Sequence, residues 1–382
     1  MKYRVISADD HLQEAPDTWA SRMSRKKWGS KIPEIRSNGD GTESWYVWDQ
    51  PKRFVGVAAV HGALPDRATE VVRWDQVPEI TYVPSERIKA MDQDGVDAHT
   101  FFGNIAGVAG NTFSAPSYPD NDFRLECIRA FNDFQIDEYS DPYPGRFITL
   151  AVVPLWDVDA AVAEVHRMKK RGIHGLSFAF PHQFQYPHVA DPYWDPFWEA
   201  AQEADLPVNF HIGSGGSMGV WQPPFKGHDA MTRLAENSTS GISANTQVMT
   251  VMLFSGALQK FPRLQIVSAE SGLGWVPYLL ETADHQWGQQ KLQRVGMEMK
   301  PSDYFRRQCY VTFWFEVMGL KLRDYIGVDR IMWESDYPHP TCTWPDSQDY
   351  IERGLAEVTE DERQQILVDN AVKLYHLERY QD

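Results

Sequence analysis

Short apolar runs recur along this chain, and most are preceded by a stretch whose apolar residues carry helical spacing. The runs at 3–8, 96–102, 147–154, 175–178, 207–211, 264–269, 310–313 and 330–333 read as strands. Between them, Ser85 can cap a helix that runs through Asp92 and is ended by Gly95, and 121–139 is a second helix. A third, 157–171, repeats apolar residues at Val158, Val162, Val165 and Met168 and closes at Gly172. Further helices are predicted at 194–204, about 245–260, 275–287 and about 317–325, with two more at about 347–357 and 361–376. Alternation of this kind, without a second composition regime, predicts an α/β fold: a (β/α)8 TIM barrel with C-terminal helices, a single domain over 1–382. A doubly wound dinucleotide fold is disfavoured, because no G-x-G-x-x-G follows the first strand. The glycine-rich stretch 213–219 lacks a P-loop lysine and reads as a flexible rim loop.

The pattern breaks once. From about 12 to 84 there is no sustained periodicity, and Trp19, Trp28, Trp45, Trp48 and Trp74 lie among Gly, Pro and charged residues. Irregular stretches of this length in compact domains are usually functional. The segment is therefore expected to be an insertion after strand one that covers the barrel mouth as a lid or forms a subunit contact, with a homodimer as the assembly.

Polar residues that bind metals stand where the apolar runs stop. Asp9 and His11 follow the first strand, His211 ends the fifth, and Asp336 follows the eighth. A barrel of parallel strands delivers such positions to one rim. Residues 9 and 11 share one side of an extended chain because side chains alternate with period two. The four together offer mixed nitrogen and oxygen ligation with an open position, which suits one divalent ion, zinc first and manganese or iron next. A bound ion of this kind activates water and polarises carbonyls.

Composition narrows the partners. Thirty-seven basic against 53 acidic residues give a formal charge of −16, which repels phosphate backbones and anionic membranes, so a small-molecule substrate is expected, with neither nucleic acid nor membrane. Cys127, Cys309 and Cys342 form no C-x-x-C pair, and no run approaches the roughly 20 apolar residues of a membrane span; a cytoplasmic location is expected. The cluster Trp221, Trp275, Phe313, Trp314, Phe315 and Trp344 suggests a pocket for an apolar or aromatic substrate. His174 begins a strand, the wrong end for catalysis, and His182 and His188 read as surface residues.

As a set, Ile6-Ser7-Ala8-Asp9-Asp10-His11 with Glu14, Phe210-His211, Phe261-Pro262, Ser335-Asp336-Tyr337-Pro338-His339, and Asn370-Ala371 with Leu374-Tyr375 resemble the amidohydrolase superfamily. The resemblance runs nearly end to end and is to the amidohydrolase-related branch that includes the aminocarboxymuconate semialdehyde decarboxylase type. It implies a divalent ion held by Asp9, His11 and His211, with Asp336 as ligand and proton acceptor, and His339 lining the pocket or bonded to Asp336. No lysine ends strand four, where Ser177 and Phe178 stand, so one metal is the default. Decarboxylases of this branch carry a histidine after strand six, whereas this chain has Glu270. That departure favours a metal-dependent hydrolase attacking an amide, ester, thioester or activated C–C bond, with Asp336, Glu270 and His339 catalytic. Glu14 and Glu270 are candidates for supporting a ligand or holding a second ion. A non-oxidative decarboxylase of an aromatic or unsaturated acid is the alternative, and an inactive barrel acting as a binding protein is more distant.

Overall fold

The computed structural model describes residues 2–55, 59–66, 69–214 and 230–381. Eleven strands are formed among them: β1 (Ile6–Leu12), β2 (Glu34–Ser37), β3 (Glu43–Val47), β4 (Gln50–Phe54), β5 (Ala98–Gly103), β6 (Phe147–Val152), β7 (Gly175–Ser177), β8 (Val208–His211), β9 (Ile266–Ala269), β10 (Cys309–Phe313) and β11 (Ile331–Trp333). Eight of these build one parallel sheet in the order β1-β5-β6-β7-β8-β9-β10-β11, with helices between successive strands. The chain beyond β11 bonds back to β1, the Asp336 N–H donating to Asp9 O at 3.0 Å and the His11 N–H to Tyr337 O at 2.7 Å. The sheet thus nearly closes on itself, and the fold is the (β/α)8 barrel that the apolar runs predict.

Each barrel strand forms because its residues are buried on both faces, as parallel strands under a helical layer must be; every residue of β1, β5 and β6 is buried. Asp157 caps the helix Val158–Arg171 by accepting the Ala160 N–H at 3.0 Å, and Gly172 ends it at φ 85°, a conformation glycine adopts without strain. Helix Ile242–Phe254 is followed by a separate turn, Ala257–Lys260, where one helix over 245–260 was expected; Gly256 at φ 80° interrupts it. Among the described residues no helix is long and apolar enough to cross a membrane.

The stretch from 12 to 84 is more ordered than its pattern suggests. β2, β3 and β4 form a small antiparallel sheet that the sequence reading left as irregular chain. A turn through Asn38-Gly39-Asp40-Gly41 joins β2 to β3, with both glycines at positive φ. The tryptophans pack inward against the barrel flank. Trp19 and Trp45 are fully buried, their rings 5.6 Å apart edge to face, and Trp19 Nε1 donates to Cys127 O at 3.0 Å. Phe101, Phe123 and Phe131 belong to the same apolar cluster, which fastens the insertion to β5 and to the helix Asn121–Phe134.

Candidate metal centre

The C-terminal ends of the barrel strands bring the predicted ligands together. A bulge in β1 places two residues, Ala8 and Asp9, opposite one of β5, so that the pairing runs Ser7 to His99 and then Asp10 to Phe101. Asp9 and His11 both end up inside the rim. His211 is the last residue of β8, Glu270 directly follows β9, and Asp336 lies beyond β11. Glu270 at φ 48° and Asp336 at φ 60° occupy left-handed backbone, costly for side chains of this kind and tolerated where the surroundings fix them.

The atoms converge closely. His11 Nε2 is 3.1 Å from His211 Nε2, 3.4 Å from Asp336 Oδ1 and 3.7 Å from Asp9 Oδ1. His211 Nε2 is 3.4 Å from Asp9 Oδ2 and 3.0 Å from Glu270 Oε2, and His339 Nδ1 is 2.9 Å from Asp336 Oδ1. Nδ1 of His211 meets the carbonyl of Ile212, which makes it the donor nitrogen and leaves Nε2 with a lone pair turned to the cluster. The Thr341 hydroxyl donates to Asp336 Oδ2. Asp9, His11 and His211 offer ligand atoms within 4.8 Å of one another, and so do His11, Glu270, Asp336 and His339.

This set fits a divalent ion. Both oxygens of Asp9 and Nδ1 of His11 are buried without a hydrogen-bond partner, an arrangement that is costly unless something else satisfies them. Burial raises the Asp9 carboxyl to about 7, against the pull of His211. It also raises Glu270, with Asp336 adding to the effect, and lifts Glu334 well above its ordinary range, with Asp9 adding. On His11, burial and the neighbouring His339 and His211 disfavour the charged form; on His211 burial acts the same way but Asp9 and Glu270 override it. These directions belong to the side chains alone. A divalent cation among them favours charged carboxylates and neutral imidazoles.

Other predicted residues divide. Glu14 stands outside both groups of candidate ligands, its carboxylate accepting the N–H groups of Asn104, Ile105 and Ala106 at 3.2, 2.8 and 2.9 Å, so it fixes the loop after β5. Trp275, Trp314 and Phe315 line a cavity of about 820 Å³ with Thr341 and Ser271. Phe313 is in the barrel core and Trp344 packs on Tyr337 with ring centres 5.3 Å apart, so neither lines that cavity. Trp221 lies outside the described residues.

Three residues that matter here carry no sequence signal of their own. Glu334 is fully buried and accepts the Glu270 N–H at 3.3 Å. Arg87, also buried, donates to His11 O at 3.1 Å and to Tyr337 O at 3.0 Å, tying the two ligand-bearing segments together. Asp10 joins the same segments by accepting the Ser335 hydroxyl and the Tyr337 N–H. Only the adjacency of Asp10 and Glu334 to Asp9 and Asp336 in the chain could have drawn notice to them.

A family model described as amidohydrolase matches residues 60–377. The chain is 26% identical over 306 residues to a gamma-resorcylate decarboxylase of Rhizobium sp. (strain MTP-10005), covering 78% of this chain and 88% of the relative. It is 24% identical over 334 residues to a gamma-resorcylate decarboxylase of Rhodococcus jostii (strain RHA1), covering 80% and 92%. Among solved structures, an amidohydrolase of Mycobacterium avium subsp. paratuberculosis K-10 superposes with a TM-score of 0.76 at 23% identity over 98% of this chain and 100% of that one. A dihydroxybenzoic acid decarboxylase of Polaromonas sp. JS666, with bound manganese and 2-nitroresorcinol, gives 0.64 at 19% over 99% and 98%. The gamma-resorcylate decarboxylases among these relatives overturn hydrolysis as the expected reaction, because they are decarboxylases. The inference from Glu270 fails for a physical reason: a carboxyl beside the ion can serve proton transfer to carbon as readily as to oxygen.

Proposed function

The chain belongs to the amidohydrolase family, and on that premise we propose that it is a metal-dependent, non-oxidative decarboxylase of hydroxylated aromatic carboxylic acids. The likeness to gamma-resorcylate decarboxylases over most of both chains carries this reading, set beside a buried ligand cluster of the kind such chemistry needs. Asp9, His11, His211 and Asp336 would hold one divalent ion, with Glu270 beside them. Manganese is favoured over zinc because Glu270 beside the two aspartates would add a third oxygen donor, and because two neighbours hold manganese. When bound, the ion supplies a Lewis acid that neutralises the carboxylate and an adjacent oxygen of the substrate.

The remaining work falls to side chains. Asp336 gives a proton to the ring carbon bearing the carboxylate; the bond from that carbon to the carboxyl group breaks, its electron pair stays with the ring, and CO₂ leaves. Acid is converted to phenol and CO₂ with no oxidant and no water consumed. His339, 2.9 Å from Asp336 Oδ1, returns the proton, and its side chain is 16% exposed where those of Asp9, His11 and Asp336 are sealed. Glu270 Oε2 stands 3.0 Å from His211 Nε2, the nitrogen turned to the cluster, and so adds an oxygen donor beside the proposed ion.

Manganese-loaded protein in D₂O is expected to convert 2,6-dihydroxybenzoate to resorcinol and CO₂, with one deuterium on the carbon that lost the carboxylate. Cleavage of aryl esters or amides without CO₂ from any hydroxybenzoate would overturn the assignment.

The insertion is proposed as a wall of the site. Gly62 donates its N–H to Pro338 O at 2.8 Å, so the segment leans on the loop that carries Asp336 and His339. We also propose one domain, a homodimer and a reducing cytoplasm, in keeping with three buried free cysteines. Sedimentation equilibrium giving twice the chain mass supports the dimer; a monomer mass at micromolar concentration rejects it.

A further inference from the structure

The cavity of about 820 Å³ is larger and more apolar than a one-ring acid requires. It starts at the reaction centre: Thr341, which donates to Asp336, and Ser271, which follows Glu270, form one end. From there the walls are Trp314, Phe315, Trp275 and Ile242. The Trp275 indole N–H is spent on Ser271 O at 2.8 Å, so the ring offers the space only its apolar surface. Of the one acid on the wall, Glu316, Oε1 is taken by the Leu273 N–H at 2.9 Å. Phe315 is 48% exposed although it stands in an otherwise apolar wall.

Pockets of about 300–1,000 Å³ serve drug-sized ligands. A hydroxybenzoate bound at the ion leaves the outer part of this one unfilled, with Phe315 exposed to water. Apolar surface left wet is a source of affinity for any substituent that covers it.

We propose that the natural substrate is a hydroxylated aromatic acid carrying an apolar substituent of several carbons opposite its carboxylate. The inference rests on the decarboxylase reading. The carboxylate sits at the metal cluster, the ring passes Thr341 and Ser271, and the substituent lies along Trp314, Phe315 and Trp275. Charged substituents are disfavoured there, because the wall is mostly apolar and its few polar groups, Ser238, Thr239 and Glu316 among them, replace little of their water.

The test uses manganese-loaded protein and 2,6-dihydroxybenzoates bearing a straight alkyl chain from methyl to pentyl para to the carboxylate. Specificity, kcat/KM, is expected to rise up to about fourfold per methylene, the equivalent of about 0.8 kcal/mol for each CH₂ that leaves water. Trp314→Ala and Phe315→Ser should each shrink the pentyl-to-methyl ratio of kcat/KM severalfold. In parallel, quenching of tryptophan fluorescence should show 5-pentylresorcinol binding far more tightly than resorcinol, a readout that needs no turnover. Decarboxylation with no gain along the series, together with equal binding of the two resorcinols, overturns the inference and leaves the decarboxylase reading standing. No CO₂ from any acid, together with chain-dependent binding of the resorcinols, sinks the decarboxylase reading and retains the apolar pocket.

Discussion

At the scale of single residues, the centre depends on side chains of two kinds. Asp336 is of the first, which is proposed to act on substrate. Asp336→Asn removes the acid but keeps an oxygen ligand, so turnover is expected to fall at least about 100-fold with metal content near that of the parent, checked by steady-state kinetics and elemental analysis of the same sample. Arg87 is of the second kind and touches no substrate. Its guanidinium bonds two backbone carbonyls and His99 Nδ1 from a fully buried position. Arg87→Met takes a donor from each of these acceptors, of which Tyr337 O keeps the His11 N–H, and leaves Asp10 without its countercharge, a loss of about 3–5 kcal/mol that urea denaturation will read as a lower midpoint. Arg87→Lys recovers little of this, because an ammonium cannot reproduce the planar fork.

At the scale of elements, the insertion and the loop after β11 form one unit. A β-carbon on Gly62 would lie 2.5 Å from both His339 O and Cys342 Sγ. Gly62→Ala is thus expected to cost about 1–3 kcal/mol and to lower turnover as well, because the backbone that must yield carries His339; unchanged kcat in a destabilised variant would show that the contact is structural only. The barrel was legible in the chain because its strands are apolar throughout and stop abruptly at polar residues such as His211. The sheet β2-β3-β4 was not, since its strands are short and partly exposed, and the insertion around it is anchored through distant contacts, as Trp19 is on Cys127, 108 residues away. Four candidate ligands were legible as strand-end residues, while Arg87 was hidden because its contacts depend on tertiary proximity to His11 and Tyr337. The reaction was least legible: Asp9, His11, His211 and Asp336 serve hydrolysis and decarboxylation alike, and Glu270 does not discriminate between them.

For the molecule as a whole, stability is tied to protons and to the ion. His174, fully buried beneath the barrel, accepts the Thr149 N–H at 3.2 Å and is pushed down to about 3 by burial and then by Arg379. Between 6.5 and about 3 the unfolded chain takes up a proton that the folded chain refuses, so this contribution is full above 6.5 and is lost as pH falls through that window. Denaturant titrations of the parent and of His174→Gln should accordingly differ in slope by up to about 1.4 kcal/mol per pH unit there, and run parallel above pH 7. A chelator is expected to lower the melting temperature and manganese to restore it, by an amount equivalent to about 2.7 kcal/mol at 100 times the dissociation constant. The seam between β1 and the segment after β11 carries this coupling further. Asp9 and His11 stand 325 or more positions before Asp336, and they are held in register by two main-chain bonds. That whole span must be synthesised before the proposed ion can find its full complement of donors. Two fragments parted at a surface loop mid-chain would each be inert, and would regain the ion only on reassembly.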